Sequence, residues 1–299
     1  MTDSDKGFST PILAVTACVL WSTAFAGIKI GLNYTGPLSL AGMRFFTAGI
    51  LTIPLWGGLR AGFGQIRRSF GFILVLSLFQ TVLLYSAFFI AMTMISGALG
   101  AILMGASPVI TALISHFTLS HDKMTMKSSG ALAVGMAGIV VISLSREPWT
   151  PAGLRELYGI LLIMFSNLCS AFANVLIKKK QGRVKGVVLS SSQMIIGGLV
   201  LFLISLVMEK PVRISMEITL FFSVLWLAAI SAAGFGIWFS LLQRPGVLVS
   251  SLNVWMFIVP VFGAVFSWLI LPDESPNLFS LAGMVCVALS LYMYNRVKS

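Results

Sequence analysis

The sequence predicts an all-α membrane protein with ten transmembrane helices in two inverted five-helix repeats, and three observations carry that prediction. The first is composition: 58% of the 299 residues are hydrophobic and 10% are charged, where soluble globular chains carry about 25% charged residues. The second is run length: ten apolar segments approach the ~20 residues that cross a bilayer as a helix. The third is an internal repeat. Sliding the chain by 152 residues places Met104 on Met256, Pro108 on Pro260, Val109 on Val261, Ala112 on Ala264, Ser115 on Ser267 and Leu119 on Leu271, and Asp122 falls on Glu274.

Taken in order, the spans are Pro11–Gly31, Leu38–Gly57, Phe70–Ile90, Ala98–Leu119, Ser128–Leu144, Tyr158–Ile177, Val187–Met208, Leu220–Leu242, Val247–Leu271 and Leu278–Tyr294. Span one follows a polar, acidic start and ends without a small-x-small cleavage signal, which predicts a retained helix rather than a signal peptide. Turn formers separate the spans: Asn33 to Pro37, Gly57-Gly58, Gly62 to Gly64, Pro148 to Pro151, Pro245-Gly246 and Pro272 to Pro276. Spans four and nine each carry a mid-span proline, which removes a helix donor and is avoided against lipid. Paired interruptions at corresponding positions of two halves mark the central site of a transporter, with Pro108 and Pro260 as candidate hinges.

Lys and Arg set the orientation. With the N-terminus inside, 14 of the 20 lie on the cytoplasmic side, four outside (Arg146, Arg155, Lys210, Arg213) and two within spans (Lys29, Arg44), as the positive-inside rule expects. Both termini are then cytoplasmic and the chain is a multi-pass protein of a bacterial inner membrane. Residues 1–150 hold five spans and residues 151–299 the other five. Five is odd, so the second half enters from the opposite side, the arrangement that gives alternating access around a midplane site.

Several function classes drop out. The net charge of +11 sits in short loops, so a nucleic-acid partner is not expected, and the partners are the bilayer and a small molecule. Cys18, Cys169 and Cys286 lie in apolar runs and read as buried small residues. No nucleotide loop, metal pattern or nucleophile elbow appears, so no cofactor and no enzyme chemistry is expected. All nine acids fall outside the spans or at their margins. A carrier of organic cations commonly uses a membrane carboxylate; a neutral or zwitterionic solute fits better.

Candidate binding residues follow from polar groups and rings inside spans. Gly97, Gly100, Met104, Ser107, Thr111 and Ser115 share one face of span four, and Ser250, Asn253, Phe257, Pro260, Ala264 and Ser267 one face of span nine. The amides of Gln80, Asn167, Asn174 and Asn253 either bond a substrate's ammonium and carboxylate or pack helices. Trp21, Tyr85, Trp238 and Trp255 either line an apolar cavity for bulky side chains or form an interfacial belt, and Tyr85 and Trp238 fall within one residue of equivalence in the repeat. Trp56, Trp226 and Trp268 lie nearer span ends and read as belt. Arg44 either anchors a substrate carboxylate or bonds backbone carbonyls; Lys29 snorkels to the interface. His116 is an interfacial residue or a proton relay. Ala131-x-x-x-Gly135 is a close-packing seam.

Trp21–Leu55, WSTAFAGIKIGLNYTGPLSLAGMRFFTAGILTIPL, resembles the first two spans of an EamA-type half of the drug/metabolite transporter superfamily: a Trp-small start, a basic residue late in span one, Pro-Leu opening span two, and Arg-Phe. IAMTMISGALGAILMGASPVI resembles that family's run into span four, and LLQRPGVLVSSLNVWMFIVPVFGAVFSWLILPDE repeats it in the second half. His121-Asp122-Lys123 replaces the family's Gly-Glu-Arg, and Gln193 stands where Arg44 would repeat. The whole chain is similar to YddG-type exporters. The resemblance implies export of neutral, aromatic and other hydrophobic, amino acids by alternating access, through a cavity built by spans one, three, four, six, eight and nine. Another neutral metabolite or drug on the same fold, or an integral-membrane enzyme, are the alternatives.

Overall fold

The computed structural model describes residues 10–95, 100, 103–146, 153–209, 218–270 and 278–298. Gly97, Asp273 and Glu274 lie outside them, as do the side chains of Lys29, Ala264, Ser267 and Trp268. Among the described residues every regular element is a helix and none is a strand. Six helices are long and apolar enough to cross a membrane: Pro37–Trp56, Phe70–Met92, Leu154–Lys179, Gly186–Met208, Ile218–Leu242 and Leu278–Val297. Four shorter apolar helices, Thr10–Ala24, Leu103–Thr118, Met126–Ile142 and Val249–Gly263, complete the ten.

The packing of these helices has the symmetry of a doubled gene. Span five packs most extensively on span ten, and span two on span seven. Spans one and eight pair as spans six and three do; one and nine as six and four; two and eight as seven and three. Advancing each span by five converts each of these pairs into itself or into its counterpart. A half-turn relates the two halves, and with five spans apiece its axis lies in the membrane plane.

Glycine makes the two self-paired contacts possible. A Cβ on Gly198 falls 2.4 Å from the Phe46 amide nitrogen, and one on Gly42 falls 2.6 Å from that of Phe202. Spans two and seven therefore touch backbone to backbone, and Ser191 Oγ donates across the seam to the Gly49 carbonyl at 2.6 Å. Gly138 and Gly283 do the same for spans five and ten, each Cβ position lying 2.6–2.7 Å from the other's carbonyl oxygen. The Ala131-to-Gly135 seam belongs here: Ser290 Oγ donates to the Ala131 carbonyl at 2.6 Å, and a Cβ on Gly135 would strike Phe257 and Ser290. With lipid tails as apolar as the helices, such close approach is what holds membrane helices together.

Span two ends in a 3₁₀ turn, Ile53–Trp56, and three other spans depart from a straight α-helix within their length. Span four breaks at Ala106, and Pro108 stands in the first turn of the helix Ser107–Thr118, where a missing N–H goes unmissed. Span nine turns 3₁₀ over Val254–Phe257 before Pro260. These two interruptions occupy equivalent places in the halves. Span three relaxes into a π-turn over Leu78–Leu83, which its counterpart in span eight does not share.

One element contradicts the reading of Gly62 to Gly64 as a turn. Leu59–Arg68 is a ten-residue helix between spans two and three. Gly62 is there for room: a Cβ would fall 2.2 Å from the Trp56 ring. Trp56 is itself 3% exposed and packs edge-on to Phe63, so it is no belt residue; Trp226, at 52% exposure, does face outward. Replacing Gly198 with Leu is expected to force spans two and seven apart, overpacking of the kind that costs about 1–3 kcal/mol or more, and to lower the thermal midpoint of the purified protein by several degrees in a fluorescence melt.

Candidate functional site

A cavity of about 150 Å³ lies where the broken spans cross. Of the residues picked out in the sequence, Trp21, Arg44, Gln80, Tyr85, Met104, Ser107, Asn167, Asn174, Trp238 and Asn253 all line it. The wall comes from spans one, three, four, six, eight and nine, with span two contributing Arg44. Phe88, Ser166, Phe235 and Met256 share the wall without having been binding candidates.

Trp255 does not line it. The 3₁₀ turn advances three residues per turn instead of 3.6, which brings Met256 into register with Asn253 and carries Trp255 sideways between two apolar clusters. There its carbonyl accepts the Cys18 thiol at 3.3 Å. Phe257 likewise turns away, fully buried against Leu132 and Ile139. A periodicity of 3.6 places none of these three correctly.

The apolar part of the wall combines five rings with Ala24, Ile28, Leu84, Met104, Met256 and Val259. Trp21 sits 5.3 Å, centroid to centroid, from both Phe235 and Trp238. It fits because residue 234 is Gly: a Cβ there would lie 2.5 Å from the indole nitrogen. Tyr85 packs on Phe45 at 4.4 Å.

The polar part is sparse and uneven. Arg44 is 3% exposed. Its Nε and Nη2 both donate to one atom, Ser231 Oγ, at 3.2 and 3.1 Å, and its guanidinium carbon lies 4.6 Å from the Phe45 ring and 5.7 Å from that of Tyr85. Among the described residues no backbone carbonyl accepts from it. The repeat-related contact joins Thr81 Oγ1 to Gln193 Oε1; the second half thus has a neutral amide where the first has a cation. Asn167 donates its Nδ2 to the Leu103 carbonyl at 2.7 Å, which fixes the amide's orientation and leaves Oδ1 without a partner. Gln80 Oε1, held in the π-turn, is also buried and unpartnered. An unpaired buried acceptor costs about 1–3 kcal/mol.

Asn174 donates to Asn253 Oδ1 at 3.1 Å across one end of the cavity, the end toward the start of span one. Beyond it, polar ties close in. Ser250, near the start of span nine, gives its N–H to Asp122 Oδ2 at 2.8 Å and its hydroxyl to Oδ1, while Lys178 Nζ donates to the Arg244 carbonyl at 2.9 Å. Asp122 is 2% exposed, so a carboxylate from the loop after span four caps the first turn of span nine. His116 Nδ1 accepts the Met124 amide at 2.9 Å, an anchor for that same loop. At the other face Glu209 caps span two through the amides of Leu38 and Ser39, at 2.6 and 3.0 Å. Asp122→Ala is expected to remove about 2 kcal/mol of charge-assisted bonding and to lower the melting midpoint more than Asp122→Asn, which keeps one acceptor.

Comparison with known proteins agrees with this arrangement. The sequence pattern of the EamA-like transporter family matches residues 9–144 and again residues 157–296. An uncharacterized transporter of Synechocystis sp. is 28% identical over 93% of this chain and 87% of its own length. A probable amino-acid metabolite efflux pump of Salmonella typhimurium is 26% identical over 94% and 93%, and one of Escherichia coli 24% over 94% and 93%. A solved crystal structure superimposes with a TM-score of 0.82 at 18% identity, over 97% of this chain and 99% of that one, which speaks for the fold. With both halves matched, the chain is a multi-pass membrane transporter, not an enzyme, and belongs to the EamA-like transporter family.

Proposed function

We propose that the chain exports amino acids with neutral side chains, aromatic and other hydrophobic ones above all, by alternating access through the cavity. Arg44 carries the reading. It is a buried cation inside the membrane, where an unneutralised charge costs about 2.5–3.5 kcal/mol or more, and among the described residues it bonds only a hydroxyl. Donors remain on its planar fork to take a carboxylate. A substrate that brings a carboxylate neutralises it.

The amide oxygens of Gln80 and Asn167 are acceptors suited to the other pole, an ammonium. Gln80 and Tyr85, whose ring abuts the guanidinium, both line the cavity from span three. Trp21, Trp238, Phe235 and Phe88 then surround the side chain with faces that suit an aromatic ring. The cavity's 150 Å³ is below the ~300–1,000 Å³ of sites for drug-sized ligands, which supports a small metabolite. Two relatives bear the name of amino-acid metabolite efflux pumps, consistent with the same cargo.

Alternating access requires the ties at one end of the cavity to break as those at the other form. Asp122–Ser250 and Asn174–Asn253 are such ties, and the breaks before Pro108 and Pro260 are where spans four and nine would bend. By the Lys and Arg distribution this end and both termini face the cytoplasm.

Counterflow tests the reading. Purified protein in vesicles preloaded with unlabelled phenylalanine is expected to accumulate the labelled amino acid. Arg44→Gln is expected to slow that exchange at least about tenfold, the loss of one charge-assisted bond of about 1.5–3 kcal/mol, while leaving the melting midpoint within a few degrees. A panel of neutral metabolites exchanging in place of every amino acid would replace the cargo with another.

A further inference from the structure

The helix Leu59–Arg68 takes no part in the cavity, and it presents three different faces. Its protein face is Gly62, against the Trp56 ring, and Gln65, whose side-chain oxygen accepts the Lys185 amide at 2.8 Å. Leu59 and Phe63, one turn apart, make a second face and are 57% and 59% exposed, continuous with Leu55 before the helix and Phe70 after it. Arg60, Arg67 and Arg68 make the third; all are exposed, and no acid bonds them among the described residues. The sequence holds no Asp or Glu anywhere between Asp5 and Asp122.

The helix is tethered tightly at both ends. Two residues join it to the 3₁₀ turn that ends span two, and one residue joins it to span three. It is therefore pinned at the membrane surface, on the face where span one starts. There an apolar arc bordered by arginines meets two environments at once: the acyl boundary, into which such helices settle by about 5–10 Å, and the headgroup layer.

We propose that this helix binds anionic phospholipid, with Leu59 and Phe63 in the acyl boundary and Arg60, Arg67 and Arg68 holding the lipid phosphate. Charge complementarity selects that occupant: three guanidiniums without a counter-ion match an anionic headgroup, and a fork of donors takes phosphate oxygens in pairs. A zwitterionic lipid satisfies the apolar face alike and leaves the arginines unneutralised. Anionic lipid surfaces attract each such residue by a factor of about five.

Trp56, under the helix, is a built-in reporter. The protein is reconstituted in phosphatidylcholine vesicles containing a minor fraction of either brominated phosphatidylglycerol or brominated phosphatidylcholine. Fluorescence lost by the wild type but not by Trp56→Phe isolates this site from the other tryptophans. That component is expected to be quenched at least about threefold more by the brominated phosphatidylglycerol. The preference should shrink toward parity in the triple variant Arg60→Gln, Arg67→Gln, Arg68→Gln, and in high salt, and persist in millimolar inorganic phosphate. Equal quenching by the two lipids overturns the proposal, as does a preference that survives the triple substitution. Loss of the preference in inorganic phosphate, at constant ionic strength, would reassign the arginines to a free anion.

Discussion

Hydrocarbon offers a backbone nothing to bond with, and the architecture follows from that. An unbroken helix meets the constraint by itself, so most spans of this chain are free to face lipid. A helix interrupted at Ala106, or tightened over Val254–Phe257, meets it only where protein or a cavity surrounds the irregular turn. The irregular turns of spans four and nine are buried or half-buried, and the remaining helices are placed to surround them. The glycine contacts of two with seven and five with ten allow this: pairs that touch backbone to backbone form narrow posts at the sides, between which the broken spans enclose a hole rather than a packed core.

The wall of that hole is mostly apolar, with five rings in it, and its polar atoms are unequally provided for. Asn174 and Asn253 satisfy one another. Arg44, Gln80 and Asn167 keep donors or acceptors pointing nowhere within the protein. The pseudo-symmetry sharpens the contrast, because the place equivalent to Arg44 holds Gln193, which bonds Thr81 and not the cavity. The two equivalent pairs differ: only the first carries a charge. A symmetric wall would offer the same groups from both halves; this one does not.

Much of this was legible in the chain. Apolar runs of span length are a signal that no other structure imitates, and the duplicate prolines at 108 and 260 mark the crossing point without reference to packing. Charged and amide side chains inside spans are few, so naming Arg44, Gln80, Asn167, Asn174 and Asn253 comes close to naming the polar part of a wall. What stayed hidden depends on the local pitch or on distant neighbours. The 3₁₀ turn moves Met256 in and Trp255 out. The π-turn that presents Gln80 has no composition of its own. Leu59–Arg68 contains two glycines and reads as a turn, because the reason for Gly62 is a tryptophan six residues earlier. Gly234 is ordinary until Trp21 is seen against it.

The central claim is that one cation and two amide oxygens make the cavity a receptacle for a zwitterion. A structure determined with phenylalanine bound tests it most directly. The account requires the carboxylate within hydrogen-bonding distance of Arg44, the ammonium on Gln80 Oε1 or Asn167 Oδ1, and the ring among Trp21, Phe235 and Trp238. Phenylalanine held with its carboxylate away from Arg44, or bound outside this cavity, would contradict it.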